Sequence, residues 1–185
     1  NLILILDGFE KLNFKKASKV YEILLNLKSQ NSFNKFGYSI YFFKNIKKIC
    51  KNFKPDILQC PYSIIDRRLE HKKLPQYLKF NKIELHVRSI FLQGLLTSDP
   101  SRLPKNFLKW RRNFLIFKNC MSQQKITNLN GCLNFVQNNK YIKKFLIGID
   151  NLNQLKEIIN VKSNKTIKFP NIFVKNKKLI DPSDW

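Results

Sequence analysis

Glu84, His86 and Arg88 stand at every second position of the run Ile83-Glu84-Leu85-His86-Val87-Arg88-Ser89-Ile90, and between them they could pass protons and hold an anion. A spacing of two puts all three on one face of a strand. In a half-buried strand that face would meet water, but a parallel sheet is covered on both sides, so the charged groups must point into an enclosed polar space. A second stretch with chemical content is Gly148-Ile149-Asp150-Asn151. Its glycine is expected to end a strand, and Asp150 and Asn151 are helix-capping types whose following N–H groups favour phosphate and ribose oxygens. Metal chemistry has little to build on. The four cysteines, Cys50, Cys60, Cys120 and Cys132, form no CxxC pair, and the histidines are His71 and His86. Reduced, buried thiols in a cytoplasmic protein without a metal site are expected.

The elements that must position these residues alternate between short apolar runs and longer amphipathic segments. Strands are expected at Leu2 to Leu6, Phe36 to Tyr41, Ile57 to Cys60, Ile83 to Ile90 and Phe145 to Ile149. Helices are expected at Phe14 to Gln30, where Ala17, Val20, Tyr21, Leu24, Leu25 and Leu27 recur at helical spacing, and at about Lys44 to Asn52 and Leu74 to Asn81. Three more are expected near Phe107 to Phe117, Ile126 to Asn138 and Leu152 to Ile159, with a loop at Leu96 to Pro104 and a terminal strand or extended segment at Ile167 to Val174. These form about five βα units in one run, without linker or internal repeat. A closed (β/α)8 barrel needs eight strands and about 250 residues, so 185 residues are too few.

Composition narrows the classes. A hydrophobic share of 43% fits a globular protein, and no apolar run reaches the length of a membrane span. Thirty-five Lys and Arg against 12 Asp and Glu give a formal charge of +23. Six of the basic residues are Arg, and the Lys are scattered among abundant Asn, Ile and Phe. The longest clusters are pairs such as Lys47-Lys48, Lys72-Lys73 and Arg111-Arg112, whereas nucleic-acid readers concentrate cations on one element. No specific nucleic-acid partner and no membrane partner is expected.

Four blocks recur in order at the ends of the expected strands: Phe36 to Tyr41, Leu58 to Arg68, His86 to Leu96 and Leu146 to Glu157. Together they resemble the last strands of the aldo-keto reductases, over nearly the whole chain. The resemblance implies an α/β fold, the C-terminal portion of a TIM-type (β/α)8 barrel comprising strands four to eight. Residues 1–185 would be a single barrel domain whose N-terminal strands lie upstream. It further implies an NAD(P)-dependent oxidoreductase that moves hydride between nicotinamide and a small carbonyl or alcohol substrate. Gln59 resembles the family glutamine on the nicotinamide carboxamide, and Ser39 the first half of a Ser-Asn pair whose second half here is Ile40. Arg88 stands where many members place a stacking aromatic, and could stack, pair with an anionic substrate, or pair with Glu84. Ser89, Gln93 and Gly94 resemble the loop that wraps the pyrophosphate. Gly148, Asp150, Asn151, Gln154 and Glu157 resemble the segment that reaches the adenosine end. A carboxylate at Asp150 repels a 2′-phosphate, so of NAD and NADP the former is slightly favoured.

The family's catalytic Asp, Tyr and Lys would lie upstream of Asn1. Its His would fall near Leu6-Asp7-Gly8-Phe9-Glu10, where Asp7 stands instead, so no catalytic residue is assigned and the chain alone is expected to be inactive. A non-catalytic relative is the alternative, and a basic polyanion binder a third. Scattered rather than clustered Lys implies that any DNA binding is weak, sequence-independent and abolished by salt. A fluorescence titration with two unrelated duplexes at physiological salt checks this; tight binding that prefers one duplex contradicts it.

Overall fold

The computed structural model describes residues 2–182 and Trp185, the side chain of Lys72 aside. The chain divides into two compact units: Asn1–Pro61 with Leu69–Val87 and Tyr141–Lys144, and Tyr62–Arg68 with Arg88–Lys140 and Phe145–Trp185.

The first unit is organised by a sheet of five parallel strands in the order β1 (Ile3–Asp7), β2 (Lys35–Ser39), β3 (Ile57–Pro61), β4 (Glu84–Arg88) and β5 (Ile142–Phe145). The registers pair Ile5 with Gly37, and Gly37 in turn with Ile57. Helices α1 (Phe14–Ser29), α2 (Ile46–Asn52) and α3 (Leu74–Phe80) return the chain between strands. Asn13 starts α1 by accepting from the Lys16 N–H at 2.9 Å, and Ala17 and Leu24 are its buried face. One face of the sheet packs through an aromatic seam. Tyr38 is wholly buried, stacks on Phe9 with ring centres 3.9 Å apart, and donates its hydroxyl to the Phe53 carbonyl at 3.1 Å. Burial pushes the Tyr38 hydroxyl well above the ordinary tyrosine range, and the Cys50 thiol up to about 12.

The second unit is helical, with α4 (Arg111–Gln123), α5 (Asn128–Gln137), α6 (Leu152–Ile159) and the single turn α7 (Lys177–Ile180). Gly131 on α5 faces Met121 and Phe117 of α4, where a larger side chain would collide. Side-chain amides then fasten the irregular tail. Gln124 pairs with the backbone of Lys168, donating and accepting at 2.8 Å, and Asn134 donates to the Lys162 carbonyl.

Three expectations are corrected. The last strand is Ile142–Phe145, not Phe145 to Ile149, and Leu146 to Asp150 is irregular, so Gly148 does not end a strand. An edge strand tolerates solvent-facing Lys143 and Lys144, and hydrophobicity alone misplaced the ladder. The helix expected near Phe107 to Phe117 starts as 3-10 turns over Lys105–Trp110 before α4, and Ile167 to Val174 forms no strand. Among the described residues no helix is long and apolar enough to cross a membrane, and no cluster of His, Cys, Asp and Glu could hold a metal ion.

Gly37 has a steric reason. A Cβ there would lie 2.5 Å from the Ile57 carbonyl oxygen and 2.8 Å from Ile5 Cδ1, inside a ladder that cannot open on either side. Gly37→Ala is therefore expected to destabilise the protein by about 3 kcal/mol, read as a lowered urea midpoint. An unchanged midpoint would show that the ladder yields.

Candidate functional site

The alternating trio of β4 does share one face, but its members do different work. Glu84 is held by the Lys35 ammonium from β2 and by His86 Nε2 at 3.2 Å. The Lys35 hydrogen bond holds the Glu84 carboxyl below its ordinary range. His86 is buried, and desolvation lowers its pKa; Glu84 opposes this, while Lys144 and Lys35 reinforce it. Arg88 lies at the end of β4, in the second unit, with Nη1 donating to Ser89 Oγ at 3.4 Å.

The second unit contains a cleft of about 690 Å³. One wall begins at Arg88 and Ser89 and continues through Gln93 and Gly94. Ser89, Leu92, Gln93 and Gly94 all have left-handed φ, between 50° and 83°. For the three non-glycine residues this costs about 1–2 kcal/mol each, a strain that calls for a reason. The turn is closed by Leu92 N–H donating to the Ser89 carbonyl and by Ser98 N–H donating to the Gly94 carbonyl. Among the described residues the Gln93 and Gly94 N–H groups have no acceptor, which leaves two adjacent backbone donors on a left-handed turn.

The facing wall comes from Leu146 to Gly148, Asp150, Gln154 and Glu157. No atom lies within 4 Å of the position a Gly148 Cβ would take, so the glycine leaves open space. Asn151, rather than Asp150, is the cap of α6, its Oδ1 accepting from Gln154 N–H at 3.0 Å. Asp150 precedes the cap, its N–H donating to Gln154 Oε1 at 2.8 Å and its carboxylate receiving the Gln154 amide at 3.4 Å. Thr127, Asn128 and Leu129 at the start of α5 complete the lining. Sequence reading passed over them. Their signal was a Thr cap, whose hydroxyl accepts from Asn130 N–H at 3.1 Å.

The cleft thus brings together Arg88, Ser89, Gln93, Gly94, Gly148, Asp150, Gln154 and Glu157 of the expected site residues, with Asn151 adjacent in the chain. Ser39 and Gln59 lie in the first unit, opposite one another in the β2–β3 register. Each is only 8% exposed, yet among the described residues neither the Ser39 hydroxyl nor the Gln59 side-chain amide has a hydrogen-bond partner. Asp7, exposed at the end of β1, is in register with Ser39. Glu10 was also passed over. Its Oε1 accepts from Tyr41 N–H at 3.0 Å, while Oε2 is buried without a partner.

His86 yields a pH prediction. Its folded pKa lies below its ordinary value of 6.5, so the unfolded chain binds the extra proton first. Stability is fully present above pH 6.5 and is lost as pH falls through the folded value; Glu84 adds a loss of the same sign below 4.5. Melting temperatures at about pH 7.5 and about pH 5.5 should differ less in His86→Gln than in the wild type. An equal fall in both would clear His86.

Neither a family model nor a curated protein matches the sequence. Solved structures do match in fold. The holo form of an aldo-keto reductase from Bacillus halodurans superposes with a TM-score of 0.71 at 19% identity, over 86% of this chain and 54% of that one. The apo form superposes with a TM-score of 0.72, also at 19% identity, over 89% of this chain and 58% of that one. The chain has the α/β fold of an aldo-keto reductase barrel, spanning a little over half the length of those structures.

Proposed function

We propose that the chain is the dinucleotide-binding part of an NAD(P)-dependent oxidoreductase of the aldo-keto reductase type, acting on a small carbonyl or alcohol substrate. The observation that supports this most is the second unit's cleft, whose lining joins a strained turn, with two backbone donors that have no acceptor among the described residues, to Asp150, Gln154 and Glu157. Ser89, Gln93 and Gly94 would hold the pyrophosphate, and Gly148, Asp150, Asn151, Gln154 and Glu157 the adenosine end. In the first unit, Gln59 and Ser39 fit a carboxamide. Neither side chain has a hydrogen-bond partner among the described residues, and an amide pairs with an amide by donating and accepting. The Ile40 side chain carries no hydrogen-bonding group where the resemblance implies an Asn, so this end is held less firmly. Arg88 offers a planar cation for stacking or for an anionic group. A bound nicotinamide would supply the hydride; this chain's own residues bind and orient.

A cofactor-binding relative without chemistry is the second reading. Asp7 supports it, since a carboxyl side chain stands where the resemblance implies an imidazole with a ring N–H to donate.

Cofactor choice tests the first reading. Asp150 and Glu157 both line the cleft, and two carboxylates oppose a 2′-phosphate while they can accept from a free ribose hydroxyl. Titrations followed by nicotinamide fluorescence are expected to give tighter binding of NADH than of NADPH, with Asp150→Arg reversing the order. Binding of neither cofactor overturns the proposal; a preference for NADPH that the substitution leaves unchanged removes Asp150 from the site.

A further inference from the structure

We propose that Asp7 and Ser39 form a recognition site for a primary ammonium group, so that the carbonyl substrate is one that also carries an amine, an amino-aldehyde or amino-ketone. The amine is a handle and takes no part in bond making or breaking. The substrate class rests on the oxidoreductase reading above, whereas the ammonium site does not.

Asp7, Ser39 and Gln59 stand in register on β1, β2 and β3. Side chains in register on parallel neighbours point to one face, so a carboxyl, a hydroxyl and an amide lie side by side. Ser39 alternates with Tyr38, which puts this row on the face opposite the aromatic seam. The preceding row on that face, Ile5, Gly37 and Ile57, carries no hydrogen-bonding side chain. Asp7 and Ser39 end their strands, and the C-terminal ends of parallel strands are where such sheets position ligands. Ser39 and Gln59 are more than nine-tenths buried, and neither side chain has a partner among the described residues. Their polar atoms are nevertheless not sealed in, since the described side-chain atoms buried without a partner are Glu10 Oε2 and Asn138 Oδ1. A hydroxyl and an amide in that state are placed to meet an outside molecule.

The surrounding cations decide what that molecule carries. The chain has 35 Lys and Arg against 12 Asp and Glu, and several carboxyl groups have taken one: Asp56 has Lys28, Glu84 has Lys35, Asp66 has Arg68 and Asp99 has Lys118. Among the described residues Asp7 and Glu10 have none. Lys11, the basic residue nearest to both in sequence, turns its ammonium to the Phe42 ring, 5.7 Å from the centre. Glu10 is tied to the end of β2, its Oε1 accepting from the Tyr41 N–H at 3.0 Å. In so basic a chain, an acidic side chain without a cation, beside an unpartnered hydroxyl, is a local exception that a ligand's ammonium completes. The three N–H donors of an ammonium group suit the Asp7 oxygens and Ser39 Oγ, and the Ser39 hydroxyl keeps its own hydrogen for a carboxamide carbonyl.

The test follows the signals of ethanolamine by saturation-transfer difference NMR with the 185-residue chain, beside 1-propanol and glycolate as neutral and anionic molecules of similar size. Ethanolamine is expected to bind saturably with a Kd of about 1 mM, the order that so small a ligand supports, and the other two at least about tenfold more weakly. Asp7→Asn, which keeps the shape and removes the acid, is expected to weaken ethanolamine about tenfold, and Asp7→Glu to restore part of the loss. Glu22→Gln, the same change of type at an exposed position of α1, should alter nothing. The signals belong to the small molecule, so an oligomeric chain serves as well as a monomer. Equal binding of the three molecules overturns the proposal, as does ethanolamine binding that Asp7→Asn leaves unchanged or that Glu22→Gln weakens as much. NADH titrated in parallel separates the two readings. Selective ethanolamine binding by a chain that takes no dinucleotide supports the ammonium site and sinks the oxidoreductase reading with its amino-carbonyl substrate; bound NADH without selection of ethanolamine sinks this proposal alone.

Discussion

The parallel ladder of the first unit is the constraint from which its other features follow. Parallel strands cannot be joined by tight turns, so a helix must return the chain each time, and those helices bury one face of the sheet. That face is where Phe36, Tyr38 and Leu58 are fully enclosed. The strands must also keep their spacing of about 4.8 Å, and Gly37 is where two neighbours come too close for a side chain. The other face carries the ionisable groups. There Lys35 of β2 reaches Glu84 on β4, two strands away, and Glu84 holds His86 from its second oxygen. Removing one member would leave a charge in a half-buried place without its partner, so the group holds three strands in one register.

Left-handed residues occur in both units, singly in the first and clustered at one turn in the second. Three non-glycine residues in left-handed conformation within six positions are unfavourable by several kcal/mol on general grounds. The internal hydrogen bonds of the turn do not use the donors that this conformation aligns. The compensation then lies in what those donors meet. The cleft carries backbone N–H groups on one part of its lining and the carboxylates of Asp150 and Glu157 on another, so its electrostatic character changes along its length.

Much of this was legible in the residues. The alternation of Leu85 and Val87 with Glu84, His86 and Arg88 identified β4, and the 3.6-residue period from Ala17 to Leu27 identified α1, because burial of one face leaves a period in the sequence. β5 failed on the same logic. Leu146 and Ile149 are apolar without being in the ladder, while Lys143 and Lys144 are in it, since an edge position relaxes the demand for burial. Most of the cleft was recognisable as a set of residues before its shape was known. Its unusual backbone was not, as Ser89, Leu92 and Gln93 are types that rarely announce positive φ. Glu10 was invisible for another reason. A loop carboxylate looks solvated until the fold encloses one of its oxygens.

The carboxylates at the end of β1 limit what this part of the molecule can do chemically. Reducing a carbonyl needs a proton donor at the oxygen, of suitable pKa, as the hydride arrives at carbon. Asp7 is exposed, and its carboxyl oxygens offer hydrogen-bond acceptors. One Glu10 oxygen is already committed to the Tyr41 N–H. Ser39 and Gln59 can donate, but an alcohol and an amide do not release protons at neutral pH. Holding a polar group is therefore what Ser39 and Gln59 can contribute, through a hydroxyl and an amide in register on neighbouring strands. A proton for such a step would come from a side chain of a different type from these four.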